Sequence, residues 1–152
     1  MKIMQRINIG KAAPNLYKAL IEMDKLASET VTQAGIAEGF YHLLLLRASQ
    51  INECAFCIRM HAKDALNCGE SNDRFAVLPA WRETEYFSQK ERAALALVEA
   101  MTLIAEGQVP DAVYQEATEY LSEDEIVAVE WLSIVINAWN RVGISSRYPV
   151  KP

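Results

Sequence analysis

The chain has 152 residues, 51% of them apolar and 23% charged, with a formal net charge of −5. That length can bury a proper core as one domain, residues 1–152, without disulfides or a structural metal. The acidic balance and the lack of any Lys/Arg cluster argue against nucleic acid or an anionic membrane surface as a partner.

The N-terminal stretch MKIMQRINIGKAAPN has no apolar core of signal-peptide length. The longest aliphatic run, Leu43 to Leu46, is far too short to span a bilayer. A cytoplasmic location is therefore expected. In that reducing compartment a close cysteine pair is more often catalytic or metal-binding than structural.

In chain order, Pro14 suits the first turn of a helix, and Leu16, Ala19, Leu20, Met23 and Ala27 mark one apolar face at helical spacing. A second helix is predicted over Ile36 to Arg47. The polar stretch Ala48 to Glu53 then leads into a helix that carries two cysteines and ends near Gly69. A segment with Phe75, Leu78 and Trp81 follows, interrupted by Pro79. Ser88 and Glu91 form a capping box that opens a helix in which Leu97, Ala100, Met101 and Ile104 share a face; Gly107 closes it. Pro110 opens a further helix. Ser122 and Glu125 form a second capping box, before a helix over Glu123 to Arg141 that is apolar almost all round. Such a helix belongs in the centre of a fold or at a subunit interface. With no strand-period alternation, repeat or low-complexity linker, the expectation is an all-α helical bundle of about six to eight helices.

The chemistry is concentrated in RASQINECAFCIRMHAKDA, Arg47 to Ala65. Cys54, Cys57 and His61 stand at i, i+3 and i+7, which places them on one face of a helix. A free thiol with a pKa of about 8.5 is mostly protonated at neutral pH, so a nearby imidazole is needed to take its proton or hold the thiolate. A second cysteine three residues away can attack the oxidised sulfur and close a disulfide. Bland readings compete: buried small hydrophobes, or a zinc site. The local stripe supplies only three zinc ligands, with His42 available as a fourth if its helix packs alongside. Covalent haem needs a histidine directly after the second cysteine, where this chain has Ile58. Cys68, too far along the helix to share an ion with Cys54, reads as a bystander core thiol.

These residues resemble the core of the carboxymuconolactone decarboxylase-like superfamily, and specifically its alkyl hydroperoxidase D-like branch. The resemblance centres on RASQIN-x-CAFC and M-H-x-K-D-A. It continues through AWRE at Ala80 to Glu83, ERAALAL at Glu91 to Leu97 and INAWNR at Ile136 to Arg141. It implies an all-helical fold in symmetric homo-oligomers, often trimers or hexamers. It also implies thiol-dependent reduction of a hydroperoxide, with a dithiol or thioredoxin-like reductant and no cofactor or metal.

Carried over, Cys57 attacks the peroxide, Cys54 resolves, and His61 belongs to the proton relay. Two positions depart from the branch. His42 stands twelve residues before Cys54, where the branch usually has a relay glutamate, and Glu38, one turn earlier, is placed to orient it. A neutral imidazole is still a competent base near pH 7. Glu53 stands where the branch commonly has glycine, and a carboxylate beside Cys54 disfavours its ionisation. The superfamily's name also suggests decarboxylation of a carboxymuconolactone-type substrate, but that branch does not depend on the cysteine pair, so Cys54 and Cys57 count against it. The changes at His42 and Glu53 keep open a non-catalytic redox-sensing or metal-binding oligomer.

Overall fold

The computed structural model describes residues 4–152, and among them there are eight α-helices and no strand. They are α1 (Ile9–Ala12), α2 (Pro14–Gln33), α3 (Glu38–Ile51), α4 (Ala55–Asn67), α5 (Asn72–Val77), α6 (Gln89–Thr102), α7 (Asp111–Tyr120) and α8 (Glu123–Ser145); a 3-10 segment, Leu78–Glu83, follows α5. No helix among the described residues is long and apolar enough to cross a membrane.

The centre of the bundle is α3. Leu43, Leu44, Leu45 and Leu46 point in four successive directions around it, and all four are buried. That requires neighbours on every side, and α4, α6, α8 and the 3-10 segment supply them. The apolar helix α8 divides into a buried face and an exposed stripe within the single chain. It buries Ile126, Val129, Leu132 and Ile136, but leaves Val127, Trp131 and Ile134 exposed along one stripe.

Several helix ends differ from the sequence expectation. Ala48 to Ile51 are the last turn of α3 rather than a connector. The buried Ser49 hydroxyl donates to the Leu45 carbonyl at 2.8 Å and accepts from the Asn140 amide at 3.0 Å, so burying it leaves nothing unsatisfied. α6 ends at Thr102, before Ile104 and Gly107, and Ile104 is 51% exposed. α8 continues to Ser145 and brings Gly143 against the cysteines. On α2 the apolar face is displaced: Ala27 and Val31 are buried, whereas Leu16 and Met23 are exposed. Both capping boxes, Ser88 with Glu91 and Ser122 with Glu125, form as expected.

Arg47 and the AWRE block meet on Glu99, just beyond the ERAALAL block, in a scaffold joint. Glu99, 9% exposed, accepts hydrogen bonds from Arg47 Nε and Trp81 Nε1, each at 2.8 Å, and from Arg82 Nη1. Burial pushes the Glu99 carboxyl up, but the bonds from Arg47, Arg82 and Trp81 outweigh it and hold it below the usual carboxylate range. The joint ties α3 to α6 and the 3-10 segment, so it fixes the helix that carries His42.

Candidate active site

The turn between α3 and α4 decides where the cysteines sit. The Glu53 N–H donates to the Gln50 carbonyl and the Cys54 N–H to the Ser49 carbonyl, at 3.1 and 3.0 Å. This pair of bonds is a Schellman ending, which needs a left-handed residue just past the helix. Glu53 takes that role at φ 57. The same ending closes α4 at Gly69, with φ 84, so Glu53 does with a side chain what glycine does there without strain. Arg147, at φ 54, repeats the strained version at the end of α8. The two strained turns deliver Cys54 and Tyr148 to the same place: both pack around Gly143.

Cys54 is therefore the N-cap of α4, not a member of its helical stripe. Its backbone is extended, with φ −83 and ψ 93, and its sulfur accepts the Cys57 N–H at 3.4 Å. The two cysteines are joined as a disulfide with a Cα–Cα distance of 5.3 Å, inside the ordinary range. Both are buried, at 1% and 3% exposure. Behind them, the Asn52 amide donates to Asn137 Oδ1 at 2.8 Å and to Asn140 Oδ1 at 2.9 Å. Sequence reading did not find these asparagines as partners. Their only traces were the RASQIN block, which holds Asn52, and the INAWNR block, which holds Asn137 and Asn140.

Cys57 lines a cavity of about 860 Å³ between α2, α3, α4 and α8, and Cys54 does not. His42 and His61 line it too, with Asp64, Tyr41 and Tyr148. The imidazole rings of His42 and His61 lie 6.2 Å apart, near parallel. Asp64, one turn beyond His61, holds a carboxylate oxygen 3.9 Å from His61 Nδ1. His42 and His61 each have a buried Nδ1 with no hydrogen-bond partner among the described residues.

Burial, then the neighbouring His42, lowers His61 to about 4, with Asp64 opposing. Burial lowers His42 as well, against Asp64 and Glu38. Near neutral pH both rings are uncharged, so both carry a lone pair. Burial and the charge of Asp24 push the Tyr41 phenol up to about 12, against a Ser28 hydrogen bond, which keeps it a proton donor. Tyr41 and Tyr148 were missed from sequence, because nothing in their spacing marks them; Asp64 stood in the M-H-x-K-D-A block, one turn from His61, but was given no role.

Cys68 corrects an expectation. It is half-buried at the C-cap of α4 rather than in the core, and its sulfur lies within 4.8 Å of ligand atoms of Glu38 and His42. Partial burial and Glu38 push its thiol up, which favours the protonated form.

The sequence profile of the carboxymuconolactone decarboxylase family matches residues 14–100. The chain belongs to that family. It is 38% identical over 141 residues to the uncharacterized protein YdfG of Bacillus subtilis (strain 168), covering 93% of each chain. A solved structure of ATU0492 from Agrobacterium tumefaciens, a protein of unknown function proposed as an antioxidant defence protein AhpD, is 37% identical. It superposes with a TM-score of 0.85, over 97% of this chain and 100% of that one. The debrominase Bmp8 shares the fold at a TM-score of 0.78 with 14% identity, over 93% of this chain and 74% of its own. The all-helical fold of this family is thus the alkyl hydroperoxidase D-like bundle expected from sequence. Within it the positions of Glu53 and His42 acquire a physical meaning: the first is a left-handed turn position that favours glycine, and the second faces His61 across the cavity.

Proposed function

We propose that the protein is an enzyme that reduces hydroperoxides through a dithiol–disulfide cycle at Cys54 and Cys57. The observation that carries this reading is a joined cysteine pair whose second member faces a cavity also lined by two uncharged imidazoles.

In the reduced protein, His61 takes the Cys57 proton and the thiolate attacks the outer peroxide oxygen. The O–O bond breaks and Cys57 becomes a sulfenic acid. The departing alkoxide takes a proton back from the histidine pair and leaves as the alcohol. Cys54 then attacks the Cys57 sulfur, the S–S bond closes and water leaves. A dithiol or thioredoxin-like reductant returns two electrons and two protons by exchange. Cys57 is assigned the attack because it faces the cavity. Cys54 is assigned the resolving step because it lies behind Cys57, at the N-cap of α4 and outside the cavity lining. His42 replaces a relay carboxylate as a neutral base.

The reading includes a homo-oligomer, a trimer or hexamer in a reducing cytoplasm, with a second copy of this chain covering the Val127, Trp131 and Ile134 stripe. Sedimentation should give a multiple of 17.1 kDa at micromolar concentration, and a monomer refutes that part.

The test of the chemistry is a thiol titration. The reduced chain has three cysteines, and one equivalent of cumene hydroperoxide should leave one titratable thiol, Cys68, with release of one equivalent of alcohol. Consumption of Cys68, or turnover that survives Cys57→Ser, sinks the proposal.

A further inference from the structure

The cysteine chemistry leaves two features of the cavity unexplained. His42 Nδ1 and His61 Nδ1 are both shut away from solvent and without a hydrogen-bond partner among the described residues, although His61 is only 8% exposed. A buried nitrogen left this way is costly, because it has given up water and gained no partner. A proton relay uses such a nitrogen transiently and does not satisfy it at rest. The second feature is the company these rings keep. One ligand atom from each of His42, His61 and Asp64 lies within 4.8 Å of the other two.

We infer that His42, His61 and Asp64 form a binding site for a divalent transition-metal ion of the zinc class. Two imidazoles and one carboxylate favour that class over magnesium or calcium, which take oxygen donors. His61 and Asp64 stand one turn apart on α4, and His42 reaches them from α3, so the two packed helices supply all three donors. Tetrahedral bonds of about 2.0–2.1 Å put ligand atoms about 3.4 Å apart, so an ion has to draw the three ligand atoms in from their present spacing of up to 4.8 Å. Both rings are uncharged at neutral pH and offer lone pairs without first losing a proton. Three protein donors leave a coordination position facing the cavity, the pattern of an open rather than a closed site. Glu38, one turn before His42 and within 4.8 Å of it, is placed to orient that ring as an outer-shell carboxylate.

The site does not rest on the peroxidase reading. Where both hold, the ion occupies the lone pairs the relay needs, so metal and turnover compete. The zinc site suggested by the sequence pattern used the cysteines as ligands; here the donors are the two histidines and Asp64, and the disulfide is not needed.

The experiment uses the full chain, stripped with chelator and titrated with Zn²⁺ by calorimetry and with Co²⁺ by visible absorption. It is run in parallel on wild type and on Cys54→Ser/Cys57→Ser, so that a failed peroxidase assay and a failed metal site are read separately. The expected result is one ion per chain in both proteins, with affinity weakened about tenfold or more in His42→Gln and in Asp64→Asn, and unchanged in Cys68→Ser. The chain has two histidines, so its imidazole NMR signals are simple to follow without any substitution; both should move on adding Zn²⁺. The inference is overturned by substoichiometric binding, by either ligand substitution leaving affinity unchanged, or by an imidazole signal that does not move. Loss of binding in Cys68→Ser would put the ion on the Glu38–His42–Cys68 side, and loss in Cys54→Ser/Cys57→Ser would make it a thiolate site. Either outcome also refutes the assignment.

Discussion

Lowering the pH from 7 to 5 should destabilise this protein mainly through His61; Asp24, whose carboxyl is pushed up by burial, acts in the opposite direction. The unfolded chain takes up a proton at His61 as the pH falls through about 6.5, whereas the folded chain holds the ring uncharged down to about 4. Across that window the unfolded state binds one proton more, so stability is lost as the pH falls. The full shift corresponds to about 3 kcal/mol at about 1.4 kcal/mol per unit, and the portion between pH 6.5 and 5 to about 2 kcal/mol. At an m-value of about 2 kcal/mol/M, the urea midpoint of the oxidised protein should drop by about 1 M between pH 7 and pH 5. His42, lowered by the same burial, adds to the loss. Glu91, Glu99 and Glu125 are held below the usual carboxylate range, so their contributions disappear only at lower pH. The assay is urea unfolding with chelator at half-unit pH steps, on wild type, His61→Asn and His42→Asn/His61→Asn. The slope should shrink in the first variant and vanish or reverse in the second. A slope in His61→Asn equal to that of wild type refutes the reasoning.

Glu99→Ala should cost about 3 kcal/mol or more, measured by urea unfolding, because it strands the half-buried Arg47 and the Trp81 N–H; a loss below about 1 kcal/mol would show that the joint is dispensable. Glu53→Gly should raise stability by up to about 1 kcal/mol and the melting temperature by about 2–4 °C, since it relieves a left-handed backbone. Gly143→Ala should be accepted without loss of disulfide formation. Its methyl group would lie 3.5 Å from Cys54 Sγ, an ordinary contact, while α8 gains helix propensity of about 1 kcal/mol. A fall in melting temperature would refute that.

The parts of the molecule legible in the sequence are those whose causes are local. The two capping boxes, the proline at the start of α2 and the glycine that ends α4 each act within one turn, and each was readable where it stands. The C-x-x-C pair was legible for the same reason. What failed depends on partners far along the chain. Ala48–Ser–Gln looked like a connector because a serine is polar, yet Ser49 is satisfied by Asn140, ninety-one positions away. Cys54 read as one tooth of a helical stripe, because spacing cannot say that α3 ends in a Schellman turn held by Asn137 and Asn140. The apolar face read on α2 caught Ala27 but missed Val31, because periodicity weighs Leu16 and Met23 equally with the buried pair Ala27 and Val31. Only the packing of α8 against that helix decides which pair is covered.

The arrangement of strain around the cysteines bears on why the site is built this way. α2 and α4 end on glycines in the left-handed conformation, at Gly35 and Gly69, where the turn carries no steric penalty. α3 and α8 end in the same motif on Glu53 and Arg147, each of which costs about 1–2 kcal/mol there. Those two turns are the ones that deliver Cys54 and Tyr148 to Gly143. Strain of this kind persists only where the surroundings over-determine the backbone. Here the Asn52–Asn137–Asn140 bonds hold the first turn, and the Arg59 bond to the Lys151 carbonyl at 2.7 Å ties the chain just beyond the second to α4. The cysteine pair therefore sits where the main chain is fixed from both sides. In the proposed cycle the sulfurs alone need to move, by side-chain rotation at the first turn of α4, while His42 and His61 keep their positions on the packed helices behind. Loosening either turn should leave the fold intact and blur the geometry between Cys57 and the imidazoles, so a strained residue at these two points serves the site at the expense of stability.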